Sequence, residues 1–379
     1  MKIVYLFGKF GDFSKKPYGG GEVGNRRTKK ILEDLEYQVI PIHRYCNYKK
    51  KSFLVYMDMI FGDIISVLKM AFKLLLKSRK NSVVHISGFT GAYMPIEYCS
   101  VCIAKLLGFK VIYEIRGGGI IQCYNEGSVL YKKLFHNTVK MADYIWSQGM
   151  ENKDLICSNT KSRFFYYPNC VSEEFMPHQC PNKEKNILRL IYMGRINPSK
   201  NVDVILETAL YLKNKGISFI LDIIGGATDC PEYLDKLKVF VTKNKLENEV
   251  FFRGQLDKPD MVEYLKSAVF FLFPTQEKRE GQSNSLTELM SFGIIPIASS
   301  QGYNRTIIDC DDLIENNLTA ESYGNKIIDV LNTKRIDSLS NLHISYSPVM
   351  RMNQRLFCRK YVESYEYLHF ENQRCPSRC

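Results

Sequence analysis

One rhythm organises this sequence: short runs of β-branched and aromatic residues alternate with longer segments of helical periodicity. Strands are predicted at 2–7, 38–42, 82–86, 110–115 and 144–147, then at 189–193, 218–224, 250–253, 268–274 and 295–299. Helical patterns of ten or more residues separate most of them. A parallel strand reaches its neighbour only through a long crossover, so the expectation is α/β with two doubly wound sheets.

The chain has 379 residues, enough for two domains. A polar, proline-containing stretch, HQCPNKEKN at 178–186, is the predicted seam, after which a fresh strand begins at LRLIYMG. The expected domains are 1–180 and 181–345, followed by 346–379 as a helix and polar tail. Leu356, Phe357, Tyr361, Tyr365 and Leu368 recur at helix-like intervals there, giving that helix a face to bury. With 45% apolar and 24% charged residues, disorder, collagen-like repeats and disulfide scaffolds are excluded.

The net charge of +12 is uneven: residues 1–80 hold 17 Lys+Arg against 7 Asp+Glu, and the rest of the chain is nearly balanced. A local basic field points to an anionic partner, whether nucleic acid, membrane surface or phosphorylated substrate. The opening MKIVYLFGKFGDF reads as a first strand rather than a signal peptide, so the twelve cysteines are expected to be reduced thiols in the cytoplasm. Cys99 and Cys102 form a lone CxxC with no second ligand pair at zinc spacing, and buried thiols are expected there. Cys375 and Cys379 lie in the polar tail with no specific role.

Residues 53–76 are the most apolar stretch, but Asp58, Asp63, Lys69 and Lys73 interrupt them, which rules against a membrane span. Two readings stand. One is a helix packed on the first sheet; the other is an interfacial helix whose flanking cations, Lys49–Lys51 before it and Lys77, Arg79 and Lys80 after it, touch anionic headgroups.

The strongest chemical signal is FLFPTQEKREGQSNSLTELMSFGIIPIAS at 271–299: an apolar strand, a charged loop, then a helix opening near Ser283, Asn284 and Ser285. Free N–H groups at such a helix start suit a diphosphate, and Gly281 permits close approach of the ligand. Carboxylates beside phosphates repel them, so Glu280 and Glu288 are candidates to accept hydrogen bonds from sugar or ribose hydroxyls. Their plain structural readings are a solvated loop charge for Glu280 and a capping box, Ser285-x-x-Glu288, for Glu288.

A second strand-to-helix turn, LIYMGRINPSKN, carries Gly194, Arg195 and Lys200, two cations where a diphosphate leaving group would need them. A glycine cluster at 19–24 includes Gly20 and Gly21 but lacks GxGxxG spacing, which lowers the case for a dehydrogenase. YEIRGGG puts Arg116 at the mouth of the first sheet, where the plain reading is a surface arginine on a glycine-rich turn. No histidine pairs with another at metal spacing, and no GxSxG, Walker A or zinc pattern occurs.

Together these residues resemble the retaining glycosyltransferases of family 4, which have the two-domain GT-B fold. The resemblance runs through GGGEVG, RGGG, ADYIWSQG, YYPNCVSEEF, MGRINPSKNVDVILE, LDIIGG, VFFRGQL and an E-x7-E element from Glu280 to Glu288. It implies two Rossmann-like domains facing a central cleft, with the last helix crossing back to the first domain. Roles follow for matching positions. Arg195 and Lys200 would bind the donor diphosphate, Glu280 the transferred sugar and Glu288 the ribose. Backbone N–H groups at Ser283–Ser285 would take phosphate, Gly194 and Gly254 would line the donor site, and Gly20 and Gly21 would line the cleft. Many family members carry a histidine where this chain has Arg116, so that role does not transfer; Arg116 is instead a candidate contact to a phosphate or acidic acceptor.

The implied reaction retains anomeric configuration and proceeds through a short-lived oxocarbenium-like ion pair, with water excluded by domain closure. No cofactor or metal is expected, since the nucleotide-sugar is a substrate. The expected partners are a nucleotide-sugar donor, a glycan or lipid-linked acceptor in surface polysaccharide assembly such as capsule or lipopolysaccharide, and an anionic membrane surface met by residues 1–80 at the inner face. Two other readings fit the sequence less well: a nucleotide-sugar 2-epimerase-like isomerase, and a basic membrane- or nucleic-acid-binding protein. No nucleic-acid partner is expected, because no recognition helix or RNP-type motif is visible.

Overall fold

The computed structural model describes residues 2–15, 17, 20–45, 53–89, 91–159, 163–169, 171, 175, 187–277 and 280–346. Two compact units divide between Pro168 and Asn169, ahead of the expected boundary at 180. The predicted seam at 178–186, the helix predicted over 346–370 apart from Tyr346, and Cys375 and Cys379 lie outside the described residues.

The first unit is a six-stranded sheet of β1 (Ile3–Gly8), β2 (Gln38–His43), β3 (Ser82–Gly88), β4 (Lys110–Ile115), β5 (Tyr144–Ser147) and β6 (Arg163–Tyr166), ordered β2-β1-β3-β4-β5-β6. All pairs are parallel, with Ile3 opposite both Gln38 and Ser82. Helices such as Gly20–Asp34, Met94–Leu106 and Val129–Met141 cover the sheet, so β3 is buried along its whole length and reads as a near-continuous apolar run. Tyr5, Phe7, Ile86, Val111 and Tyr113 meet Met70, Val101, Ala104, Phe135 and Val139 in this core. Full burial of side chains of this size stabilises by about 1.5–3 kcal/mol each. The edge strand β6, RFFY, was not anticipated from the sequence.

Met94, Glu97, Val101 and Ala104 form the inward stripe of the helix Met94–Leu106. Cys99 lies on its other side and is exposed, and Cys102 is half-buried, which corrects the expectation of buried thiols.

The long helix Phe53–Leu75 packs on the first unit through Val67, Met70 and Leu74. Asp63 and Ser66 are on the same buried side, with Asp63 Oδ1 3.1 Å from Arg44 Nε. No helix among the described residues is long and apolar enough to cross a membrane.

The second unit is a five-stranded parallel sheet of β7 (Leu188–Met193), β8 (Phe219–Ile224), β9 (Val250–Gly254), β10 (Phe270–Phe273) and β11 (Ile295–Ala298), ordered β11-β10-β7-β8-β9. Its core joins Leu190, Tyr192, Leu221, Ile223, Phe271 and Ile297 to Leu206 and Ala209 of the helix Val202–Asn214. β10 is shorter than predicted, ending before Pro274, which has no N–H to donate to a ladder.

This strand order positions the site. After β7 the chain winds outward through β8 and β9, then returns to lay β10 on the other side of β7, with Phe270 opposite Leu190. The direction of winding reverses between β7 and β10, and the crevice outside the carboxyl ends of two such strands is where open α/β sheets bind ligands.

Candidate functional site

The loops leaving β7 and β10 are laced together at that reversal. Gly194 directly follows β7 and donates its N–H to Ile224 O at 3.0 Å, and Ile196 N–H donates to Gly226 O at 2.9 Å. Arg195 is exposed between them, and its carbonyl accepts the Tyr192 hydroxyl at 2.6 Å. Burial first, and then the charge of Glu280, push the Tyr192 phenol far above its ordinary pKa, so it stays a donor. Asn201 takes the left-handed conformation at φ 49° that carries the loop into the helix Val202–Asn214, and its amide donates to Pro274 O at 2.7 Å.

From the other side, Gln276 N–H donates to Ser199 O at 2.8 Å, and Ser199 Oγ donates to Glu277 Oε2 at 2.9 Å. Ser299 Oγ donates to Thr275 O at 2.6 Å, tying in the end of β11. At the centre, the buried Lys200 ammonium forms an ion pair with Glu280. Thr275 Oγ1 lies 3.4 Å from both Lys200 Nζ and Glu280 Oε2, and Lys200 Nζ stands 5.3 Å from the Phe273 ring centroid. Glu280 is therefore not a solvated loop charge. Behind it stands Gly302, at φ 62°, where a Cβ would run into the Glu280 backbone carbonyl.

Gly281 is half-buried, and the next residue, Gln282, is clasped by Asn169. Its side-chain oxygen accepts Asn169 N–H, its carbonyl accepts Asn169 Nδ2 at 3.1 Å, and its own Nε2 donates to Asn169 O at 3.2 Å. The chain then enters the helix Asn284–Ser291, whose N-cap is Ser283: Ser283 Oγ accepts from Leu286 N–H at 3.3 Å. This corrects the capping-box reading, because Ser285 lies inside the first turn instead of at the cap. Glu288 is half-buried in the body of the same helix. Gly254, at φ 70°, closes β9 and accepts Gly225 N–H at 2.8 Å, and a Cβ there would meet nothing within 4 Å.

The structure thus brings Gly194, Arg195, Lys200, Glu280, Gly281, Ser283, Asn284, Ser285 and Glu288 onto the loops and helix start around one sheet reversal. The sequence reading missed Ser199, Thr275, Glu277, Gln282, Asn169 and Tyr192. All six stand within runs already singled out, YYPN, LIYMGRINPSKN and residues 271–299, but nothing in those runs marked these positions.

The other candidates belong to the first unit. Gly20 and Gly21 open the helix Gly20–Asp34, and a Cβ on Gly21 would sit 2.9 Å from the Phe89 ring. Arg116 is not the surface arginine of the plain reading: it is buried, with Nε 2.8 Å from Glu114 Oε1 and Nη2 donating to Thr28 Oγ1 at 2.8 Å. A Cβ on Gly24 would strike its guanidinium, so that glycine is where the helix makes room for it. Behind this pair, the imidazole of His85 lies with Nε2 2.9 Å from Glu114 Oε2. Burial depresses the His85 pKa and outweighs the carboxylate beside it, so the ring is neutral and donates. Burial pushes the Glu114 carboxyl up, but Arg116 and His85 together hold it below its ordinary value. Among the described residues no group of three or more His, Cys, Asp or Glu is arranged to hold a metal ion.

Residues 172–343 match the family model described as glycosyl transferases group 1. No curated protein matches the chain. Among solved structures, sucrose-phosphate synthase from Thermosynechococcus elongatus is similar at a TM-score of 0.71 and 14% identity, over 97% of this chain and 99% of that one. HepE of Anabaena in complex with UDP follows at 0.68 and 12%, over 97% and 100%. The lipopolysaccharide outer core galactosyltransferase WaaB, in its apo form, gives 0.64 and 15%, over 97% and 99%. At such identities the likeness establishes the fold, which is GT-B with two parallel-sheet Rossmann-like units.

Proposed function

We propose that this glycosyltransferase is a retaining enzyme of family 4 that moves a sugar from a nucleotide-sugar donor to a glycan or lipid-linked acceptor in cell-surface polysaccharide assembly. It works in the cytoplasm at the inner membrane face, where its basic first 80 residues meet anionic lipid.

The observation that carries this reading is the Lys200–Glu280 pair at the reversal between β7 and β10. A cation and a carboxylate held together suit a sugar diphosphate, which presents both an anion and hydroxyl groups. On binding, the ammonium exchanges the carboxylate for a phosphate oxygen, and Glu280 is released to accept hydrogen bonds from sugar hydroxyls. Lys200 and Arg195 then take the negative charge that grows on the leaving diphosphate, together with the N–H groups at the start of the helix Asn284–Ser291. Thr275 and Tyr192 hold this geometry from behind, and Glu288 takes the ribose. Leaving-group charge is met by fixed cations and backbone donors, so the reaction needs no metal. The acceptor hydroxyl attacks from the face the diphosphate leaves, which retains configuration.

The test is a nucleotide-sugar panel scored by thermal stabilisation, starting with UDP-sugars because the Anabaena neighbour holds UDP. Product stereochemistry is then read by NMR. A donor that stabilises the chain and yields a retained anomer supports the reading. No stabilisation by any nucleotide-sugar, or an inverted product, overturns it, and an epimerised donor in the absence of acceptor assigns the isomerase activity instead.

A further inference from the structure

The helix Phe53–Leu75 is apolar on both faces. Val67, Met70 and Leu74 pack against the unit beside the buried Asp63 and Ser66, while Phe53, Leu54, Phe61, Leu68 and Phe72 on its outer side are between 59% and 79% exposed. Ile65 and Leu75 continue the same stripe at i, i+3 and i+4 spacing. A surface helix of a globular protein turns a mainly polar face to water, and an exposed apolar stripe of this extent marks an interaction site.

The stripe residues Phe61, Ile65, Leu68 and Phe72 also line an open cavity of about 1100 Å3 that they share with the chain leaving β2. Its lining is amphiphilic, with Lys69 and Lys73 among its cations and Asp12 and Asp58 as its carboxylates. Lys73 and Arg26 are close enough to His43 that, after burial, their charges help depress its pKa, so cations cluster there. Exposed Lys77, Arg79 and Lys80 follow at the end of the helix.

We infer that this helix lies in the plane of an anionic phospholipid leaflet, its outer stripe sunk among the acyl chains and Lys69, Lys73, Lys77, Arg79 and Lys80 at the headgroups. Charge complementarity selects this occupant. A second copy of the chain would bring the same cations against one another, whereas an anionic leaflet answers both the apolar stripe and the cations that flank it. The inference rests on the lipid-linked acceptor reading above and assigns its membrane contact to one element of the first unit.

The experiment uses the full chain with vesicles of phosphatidylcholine alone or with a third phosphatidylglycerol, read by co-sedimentation. Binding is expected to the anionic vesicles. The triple variant Phe61→Ser, Leu68→Ser, Phe72→Ser alters only exposed side chains and should weaken it at least roughly tenfold. Lys69→Gln with Lys73→Gln should weaken it roughly thirtyfold. Phe61→Trp gives a second readout: the sequence has one other tryptophan, Trp146, which is buried, so a blue shift on adding anionic vesicles reports residue 61 entering the leaflet.

Equal binding to neutral vesicles, no loss in the triple variant, or a lipid-free dimer that the triple variant abolishes each overturns the inference. Thermal stabilisation by nucleotide-sugar is measured on the same variants. If it persists where vesicle binding is absent, the membrane contact alone fails; if vesicles bind and no donor stabilises, the donor reading alone fails.

Discussion

Lys200 and Glu280 stand 80 residues apart in sequence and meet only because β7 and β10 lie side by side. In the proposed reaction, removing either member removes a group that meets the leaving diphosphate or the sugar. Glu280→Gln and Lys200→Ala are each expected to lower turnover roughly a hundredfold or more. Lys200→Ala also strands a largely buried carboxylate, at a cost of up to about 3–5 kcal/mol, so melting is measured alongside rates. Near-normal turnover in both variants would remove the site assignment. Gly302 sits at φ 62° behind the Glu280 backbone, so Gly302→Ala is expected to cost at least about 1 kcal/mol and to lower turnover by displacing Glu280. A wild-type melting temperature and rate would contradict that.

His85 gives a pH signature. Its folded pKa is depressed below the ordinary 6.5, so its contribution is fully present above 6.5 and is lost as pH falls through that value toward the folded pKa, because the unfolded chain binds a proton that the buried ring refuses. Stability should therefore fall as the pH drops below about 6.5. His85→Gln should flatten part of that slope, and His43, depressed in the same direction, supplies a further part. A slope unchanged in His85→Gln would mean that the ring titrates freely. The candidate carboxylates and cations were legible from their positions after strand-like runs. Thr275 and Ser199 were not, because a hydroxyl in a loop carries no signal until its partner is known.

At the scale of elements, the site helix shows how a local motif can be outvoted. Ser285-x-x-Glu288 has the spacing of a capping box, yet the cap forms at Ser283. Asn169 grips Gln282 by three hydrogen bonds and delivers the chain to the helix at that point, a restraint that local spacing cannot report. Ser283→Ala should cost about 1 kcal/mol in denaturant melts and Ser285→Ala a few tenths, and the reverse order would restore the box. Among the described residues, ten of the eleven strands were visible as apolar runs, since strands covered on both faces need continuous apolarity. β6 escaped because it is four residues long and bonds on one side only, to β5. The exposed stripe of the helix Phe53–Leu75 was legible as an apolar stretch, but which of its faces points inward was settled by packing alone.

At the scale of the whole molecule, the charge that first suggested an anionic partner separates into two places. Arg195 and Lys200 stand singly in the second unit, and the excess within residues 1–80 belongs to the first unit. Hydrogen exchange should show the same separation. A nucleotide-sugar is expected to protect residues 194–201 and 280–287, and anionic vesicles to protect 53–76. Protection by vesicles confined to the second unit would contradict the assignment of the membrane contact.

The clasp between Asn169 and Gln282 sets where this chain can be recombined with others. Asn169 opens the second unit, Val171 and Phe175 are buried in its core, and Phe175 O accepts Ser291 Oγ at 2.5 Å. A chimera spliced near residue 180 would take these residues from the wrong parent and leave the loop before the helix Asn284–Ser291 without its anchor. A splice between Pro168 and Asn169 carries the second unit as an intact cassette, transplantable with its candidate-site loops already braced.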